Sequence, residues 1–155
     1  MPLEKDIKQK SFKNPYNKLT VNLMYTNGWL TNRYAQILKP YKLSKPQYNV
    51  LKILHQIYPQ PANINFIIER MVDKMSNVSR LVDKLIAKQL VIKVKSTEDL
   101  RSVNVALTAK GVILLQELSS KIVESEINFI GLNEAETDLL NSLLEKTRNY
   151  KIINP

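Results

Sequence analysis

The chain has 155 residues, of which 44% are hydrophobic and 24% charged, with a net charge of +9 and no cysteine. That length and balance suit one globular domain with a proper core, and the missing cysteine excludes disulfides, thiolate metal sites, cysteine nucleophiles and thiol-based redox sensing. No apolar run approaches the roughly 20 residues of a membrane helix, and the opening MPLEKDIKQK holds no apolar stretch of signal-peptide length, so the chain is read as cytoplasmic with no membrane partner.

The charge is unevenly spread. Residues 1–20 carry +3, residues 21–60 carry +5 without a single acid, residues 61–102 carry +3, and residues 103–155 carry −2. The basic charge thus lies before residue 103, where it favours a polyanion such as nucleic acid.

In chain order, a long helix is predicted from Pro15 to about Lys39. Asn14 caps it, Pro15 takes the first position, where a missing N–H costs nothing, and Pro40 stops it. Ser44 with Gln47 forms a capping box for a second helix reaching about Ile57, before Pro59 and Pro61 break the pattern. A short third helix follows Asn63 and carries Ile64, Ile67, Ile68 and Met71. A fourth follows the Val72–Lys74 turn, with Asp73 as its cap, and extends to about Lys88.

Then the period changes from helical to alternating. Residues 90–95 (LVIKVK) and 103–107 (VNVAL) read as two strands joined by the polar loop STEDLRS. Thr108 caps a long helix ending near Gly131, and Asn133 with Glu136 boxes a last helix to about Tyr150. Four helices, a hairpin and two more helices contain the winged helix-turn-helix order. In that order the helix before the hairpin enters the major groove of DNA. The fold class is mainly α with a small β-hairpin wing.

On the fourth helix Val78, Leu81, Val82 and Leu85 form one buried stripe. Ser76, Arg80, Asp83 and Ala87 line the opposite face, Asn77, Lys84 and Lys88 flank it on one side, and Ser79 flanks it on the other. Short polar groups at the helix start let the backbone approach DNA. Arg80 suits a guanine edge, Asn77 an adenine, and Lys84 and Lys88 phosphates. The same residues also fit a solvated face with an Arg80–Asp83 pair. Lys93 and Lys95 lie on the hairpin and Arg101 on its loop. Asp99, two residues earlier, can hold that guanidinium ready for the minor groove, or the two form an ordinary surface pair.

Residues 76–111, SNVSRLVDKLIAKQLVIKVKSTEDLRSVNVALTAKG, resemble the core of the MarR (multiple antibiotic resistance regulator) family. The resemblance rests on S-x-x-S-R-L-V-D-K-L, the D-x-R wing and the L-T-x-K-G helix opening, with LSKPQYNVLKIL (43–54) similar to the family's second helix. It implies one chain of two parts. Helices at about 14–42 and 109–150 would join two copies, and residues at about 43–108 would form a winged lobe. The homodimer would read a pseudo-palindromic operator on double-stranded DNA as a transcriptional regulator, expected to be a repressor. Ser76, Asn77, Ser79 and Arg80 become the groove readers, and Arg101 the wing-tip residue supported by Asp99. Four positions depart from the family pattern. Val72 and Gln89 stand where glycine is usual, Ile68 where a small residue is common, and Leu100 where the wing often has a second basic residue. A non-glycine residue in a left-handed turn costs on the order of 1 kcal/mol.

Many members of that family leave DNA on binding small anionic aromatic compounds. Tyr25, Trp29, Tyr34, Tyr48 and Tyr58 lie in the acid-free span between Asp6 and Glu69, and Tyr25, Trp29, Tyr48 and His55 are the candidates for such an effector; these rings equally suit a core. His55 is the only histidine, too few nitrogen ligands for a metal, and neither a phosphate loop nor a base–nucleophile set is present. No cofactor and no enzymatic activity are expected. The long helix spreads Val112, Leu114, Leu115, Leu118, Ile122, Val123, Ile127 and Phe129 more widely than one core stripe needs, which a second copy would use. A winged-helix module that binds protein, without operator recognition, is the alternative.

Overall fold

A computed structural model of the chain describes residues 2–95 and 103–149. Two compact units divide it, residues 1–119 and 120–155. The first begins with a one-turn helix that the sequence pattern did not announce, α1 (Leu3–Asp6). Then comes α2 (Pro15–Leu38), capped as expected, with Asn17 N–H donating to Asn14 Oδ1 at 2.8 Å. Pro40 does end the α-helix, but through a 3₁₀ turn over Lys39–Tyr41 and a left-handed Lys42. The proline ring tolerates the tighter turn while blocking further α-helix.

The second predicted helix is α3 (Lys45–Gln56), and both halves of its capping box are formed: Gln47 N–H to Ser44 Oγ at 3.3 Å and Ser44 N–H to Gln47 Oε1 at 3.0 Å. Asn63 caps α4 (Ile64–Arg70) through Phe66 N–H at 2.8 Å. Pro59 and Pro61 hid one feature. Ala62, just after them, exchanges two backbone hydrogen bonds with Val105, at 2.9 and 2.7 Å, and so adds a third rung beside the hairpin.

The fourth helix differs from expectation at its start. It is α5 (Val78–Ala87), and its cap is Asn77, whose Oδ1 accepts from Arg80 N–H at 3.1 Å. Asp73 instead closes the preceding turn, taking Met75 N–H on Oδ1 and the Ser76 hydroxyl on Oδ2, each at 3.0 Å. A carboxylate satisfied two and three residues onward makes a turn rather than a helix start. Val72 avoids the left-handed region, since the positive-φ residues other than glycine among those described are Lys8, Lys42 and Gln89. Its N–H is satisfied by Asn49 Oδ1 of α3 at 2.9 Å. Gln89 does take φ +62. Gln89 N–H bonds Ile86 C=O at 2.8 Å and Leu90 N–H bonds Leu85 C=O at 3.0 Å, the paired closure that normally favours glycine at this position.

Strands β1 (Val91–Lys95) and β2 (Val103–Leu107) pair antiparallel from Val91↔Leu107 to Lys95↔Val103. Burial fades along the hairpin: Val91, Val105 and Leu107 are buried, while Ile92, Lys93, Lys95 and Val103 are exposed. The core of this unit is built from α3, α4, α5 and the hairpin base, with Leu51, Leu54, Ile67, Val82, Leu85 and Val91 almost wholly covered. Each such side chain contributes about 1.5–3 kcal/mol of burial. The loop carrying Asp99, Leu100 and Arg101 lies outside the described residues.

Helix α6 (Ala109–Ile130) crosses from the first unit into the second. Thr108 opens it as expected, its Oγ1 accepting Gly111 N–H at 3.0 Å, and Gly131 closes it at φ +67. The second unit continues with α7 (Glu134–Arg148), whose Asn133–Glu136 capping box is complete, with both bonds at 3.0 Å.

Candidate nucleic-acid interface

The hydrophobic stripe on α5 sorts its two faces. Val78, Val82 and Leu85 are buried and Leu81 half-buried, so Ser79, Arg80, Asp83 and Lys84 are forced outward, with Asn77 exposed at the helix start. The sequence-predicted groove readers Ser76, Asn77, Ser79 and Arg80 thus share the first turn of one helix and the residues leading into it. Asn77 has a double duty there. Its carbonyl oxygen caps the helix, so its amide N–H₂ is the half left for a base edge.

Asp83 does not pair with Arg80. It accepts from Lys93 Nζ at 3.0 Å, tying β1 to the outer face of α5. Both side chains are more than half exposed, so the pair is worth about 0.2–1 kcal/mol and yields easily to a competing phosphate. Lys95 and Lys84 are exposed. Lys88 turns inward instead: its ammonium donates to Lys42 C=O at the end of the 3₁₀ turn, while Lys88 C=O accepts Lys110 Nζ at 3.0 Å. Lys88 is therefore a strut between the end of α5 and the 3₁₀ turn that follows α2, a role that its spacing on the helix could not reveal.

The four candidates for an effector do not gather. Tyr25 and Trp29 line an open hollow of about 600 Å³ together with Leu3, Asp6 and Lys18. Tyr48 is buried in the core of α3, and His55 is exposed near that helix's end. Lys18, at the rim, bonds Glu4 at 2.6 Å, and its ammonium holds the Glu4 carboxyl below the usual carboxylate range. Trp29 lies 5.6 Å from the Arg33 guanidinium. No helix among the described residues is long and apolar enough to cross a membrane, and no group of three or more potential metal ligands gathers among them.

The sequence model of the MarR family matches residues 43–103, which run from the start of α3 through the hairpin. The "HTH-type transcriptional repressor IacR" of Pseudomonas putida is 29% identical over 126 residues, covering 79% of this chain and 73% of that protein. The "HTH-type transcriptional regulator MgrA" of Staphylococcus aureus is 29% identical over 125 residues, covering 79% of this chain and 83% of its own. Among solved structures, Bordetella bronchiseptica BpsR, described in terms of "regulation of DNA binding" by 6-hydroxynicotinic acid, superposes with a TM-score of 0.74 at 22% identity, over 91% of this chain and all of that one. The matched segment, the relatives and the shared architecture agree: residues 43–103 match the MarR family, and over most of its length the chain is similar to HTH-type transcriptional regulators and shares the fold of BpsR.

Proposed function

We propose that the chain is a sequence-specific double-stranded-DNA-binding regulator that acts as a homodimer on a pseudo-palindromic operator, as a repressor, and that it is not an enzyme. The observation that carries this reading is α5. It is buried along one side and short, polar and cationic along the other, and it lies directly before a hairpin whose exposed residues include Lys93 and Lys95. Ser76, Asn77, Ser79 and Arg80 read the groove, and Lys84, Lys93 and Lys95 meet phosphates, Lys93 by leaving Asp83. Arg101, steadied by Asp99, serves the minor groove.

The division of labour follows burial. Residues 43–108 form the reading lobe, and the helices at about 14–42 and 109–150 join two copies. Helix α7 supports this, since it buries no side chain within its own chain while Leu139, Leu140 and Leu143 stand open. On α6, Leu115 and Leu118 are covered, but Val123 and Ile127 are not. An uncovered apolar helix of 15 residues needs a partner, and a second copy supplies it with two-fold symmetry. Tyr25 and Trp29 are the residues best placed to meet a small aromatic anion that releases DNA. The likeness to BpsR, whose DNA binding is regulated by 6-hydroxynicotinic acid, supports this reading.

The test is a salt titration of duplex binding by the wild type and by a variant with Arg80→Ala and Arg101→Ala. Wild-type affinity should fall with a log–log slope of roughly −0.9 per neutralised phosphate. The double variant should lose specific binding, at about 1–3 kcal/mol per lost base contact. No duplex affinity at low salt, or an unaffected double variant, would overturn the reading in favour of a protein-binding module.

A further inference from the structure

The turn between α4 and α5 is built the wrong way round for a solvent-facing loop. It holds two charged residues and two apolar ones, and the charged pair is spent internally. Both oxygens of Asp73 accept bonds from Met75 N–H and the Ser76 hydroxyl, and the Lys74 ammonium turns back to Glu69 C=O at the end of α4. The apolar pair is left outside, Val72 at 80% and Met75 at 92% exposure. The turn is also fixed in place. Val72 N–H is held by Asn49 of α3, and Met71, the residue before it, is buried. These bonds hold the backbone of the turn in the path that leaves Val72 and Met75 exposed. Met75 stands two residues before the Asn77 cap, at the end of α5 that carries Ser79 and Arg80.

We infer that Met75, with Val72 beside it, is a specificity-determining contact that reads the 5-methyl group of a thymine in each half-site. The thymine methyl is the one apolar feature of the major groove edge. An unbranched thioether side chain adapts to its position and gains by covering it. Lys74, the neighbouring group that could instead recruit a phosphate, is already engaged with Glu69 C=O, and the Asp73 carboxylate is taken up within the turn, so the projecting surface offers apolar contact and little else. This rests on the DNA-binding reading above and adds to it a base that neither Arg80 nor Asn77 accounts for.

The test uses the full-length protein and a duplex selected by it from a random pool. Each thymine of the selected half-site is replaced in turn by deoxyuridine, which lacks only the methyl. Wild-type affinity should fall about fourfold at one thymine per half-site, the value of one buried methyl-sized group. The Met75→Ala variant should bind the thymine duplex correspondingly weaker and show no further loss with uracil at that position. Val72→Ala should show a smaller loss of the same kind. Both side chains are exposed, so melting temperatures should match the wild type, and a fold defect is thereby separated from a contact defect. Losses from Met75→Ala and from uracil that simply add, or a selected site indifferent to every methyl, would overturn the inference and leave the DNA-binding reading intact. A wild type that selects no duplex would overturn both.

Discussion

Gly111 is where the base of the hairpin meets α6, and its replacement by alanine should be costly although it sits inside a helix. A Cβ at this position would lie 2.3 Å from Leu90 C=O and 3.0 Å from the Leu107 side chain. Ordinary contact begins near 3.4 Å, so α6 or the Leu90 carbonyl must retreat by about 1 Å. That carbonyl is not free to move, because it accepts Thr108 N–H at 3.1 Å and shares the Thr108 hydroxyl proton, at 3.1 Å, with Gln89 C=O at 2.8 Å. Overpacking of this size costs about 1–3 kcal/mol, and losing one of the hydrogen bonds adds about 1 kcal/mol. The higher helix propensity of alanine returns about 1 kcal/mol. The net expectation is a loss of about 2 kcal/mol, a fall in melting temperature of roughly 4–8 °C for a chain of this size. Thermal unfolding by circular dichroism at fixed protein concentration measures it, since any self-association would make the midpoint concentration-dependent. A Gly111→Ala protein as stable as the wild type, or more stable, would refute the close approach of α6 to Leu90.

Two further substitutions should move stability in the opposite direction. Gly28 also lies within a helix, but a Cβ there would meet nothing within 4 Å, so Gly28→Ala should stabilise the chain by about 0.5–1 kcal/mol in the same assay; a loss would mean that a second copy packs closely against that point of α2. Gln89 holds a left-handed conformation at φ +62, so Gln89→Gly should relieve about 1 kcal/mol of strain, read as a rise in midpoint denaturant concentration with unchanged slope.

Much of the local structure was legible because the signals are local. Asn14, Ser44, Asn63 and Asn133 each mark a helix start within three residues of the N–H they cap, and alternation in VIKVK and VNVAL marks two strands. The start of α5 differs from expectation for a reason that the local pattern does not contain. Asp73 and Asn77 are both good caps; Asp73 is spent on Met75 N–H and the Ser76 hydroxyl in a turn that Asn49 of α3 holds at Val72, and Asn77 is left to cap Arg80 N–H. The expected effector residues failed to converge because shared composition does not imply shared location: Tyr48 sits in the core of α3 while Tyr25 and Trp29 face the hollow beside α1.

The amino-acid order alone settled the run of helices and hairpin, the family resemblance, the side of α5 that must be buried and the excess of basic charge ahead of residue 103. These depend on periodicity, capping and charge, which act over a few residues. Only the folded chain decided that Lys93 answers Asp83, that Lys88 braces Lys42, that Ala62 joins the hairpin, that Gly111 must lack a side chain and that Met75 is left bare. Each of these joins residues distant in sequence or depends on what surrounds them in space, and no pattern along the chain records which carbonyl or side chain will be near.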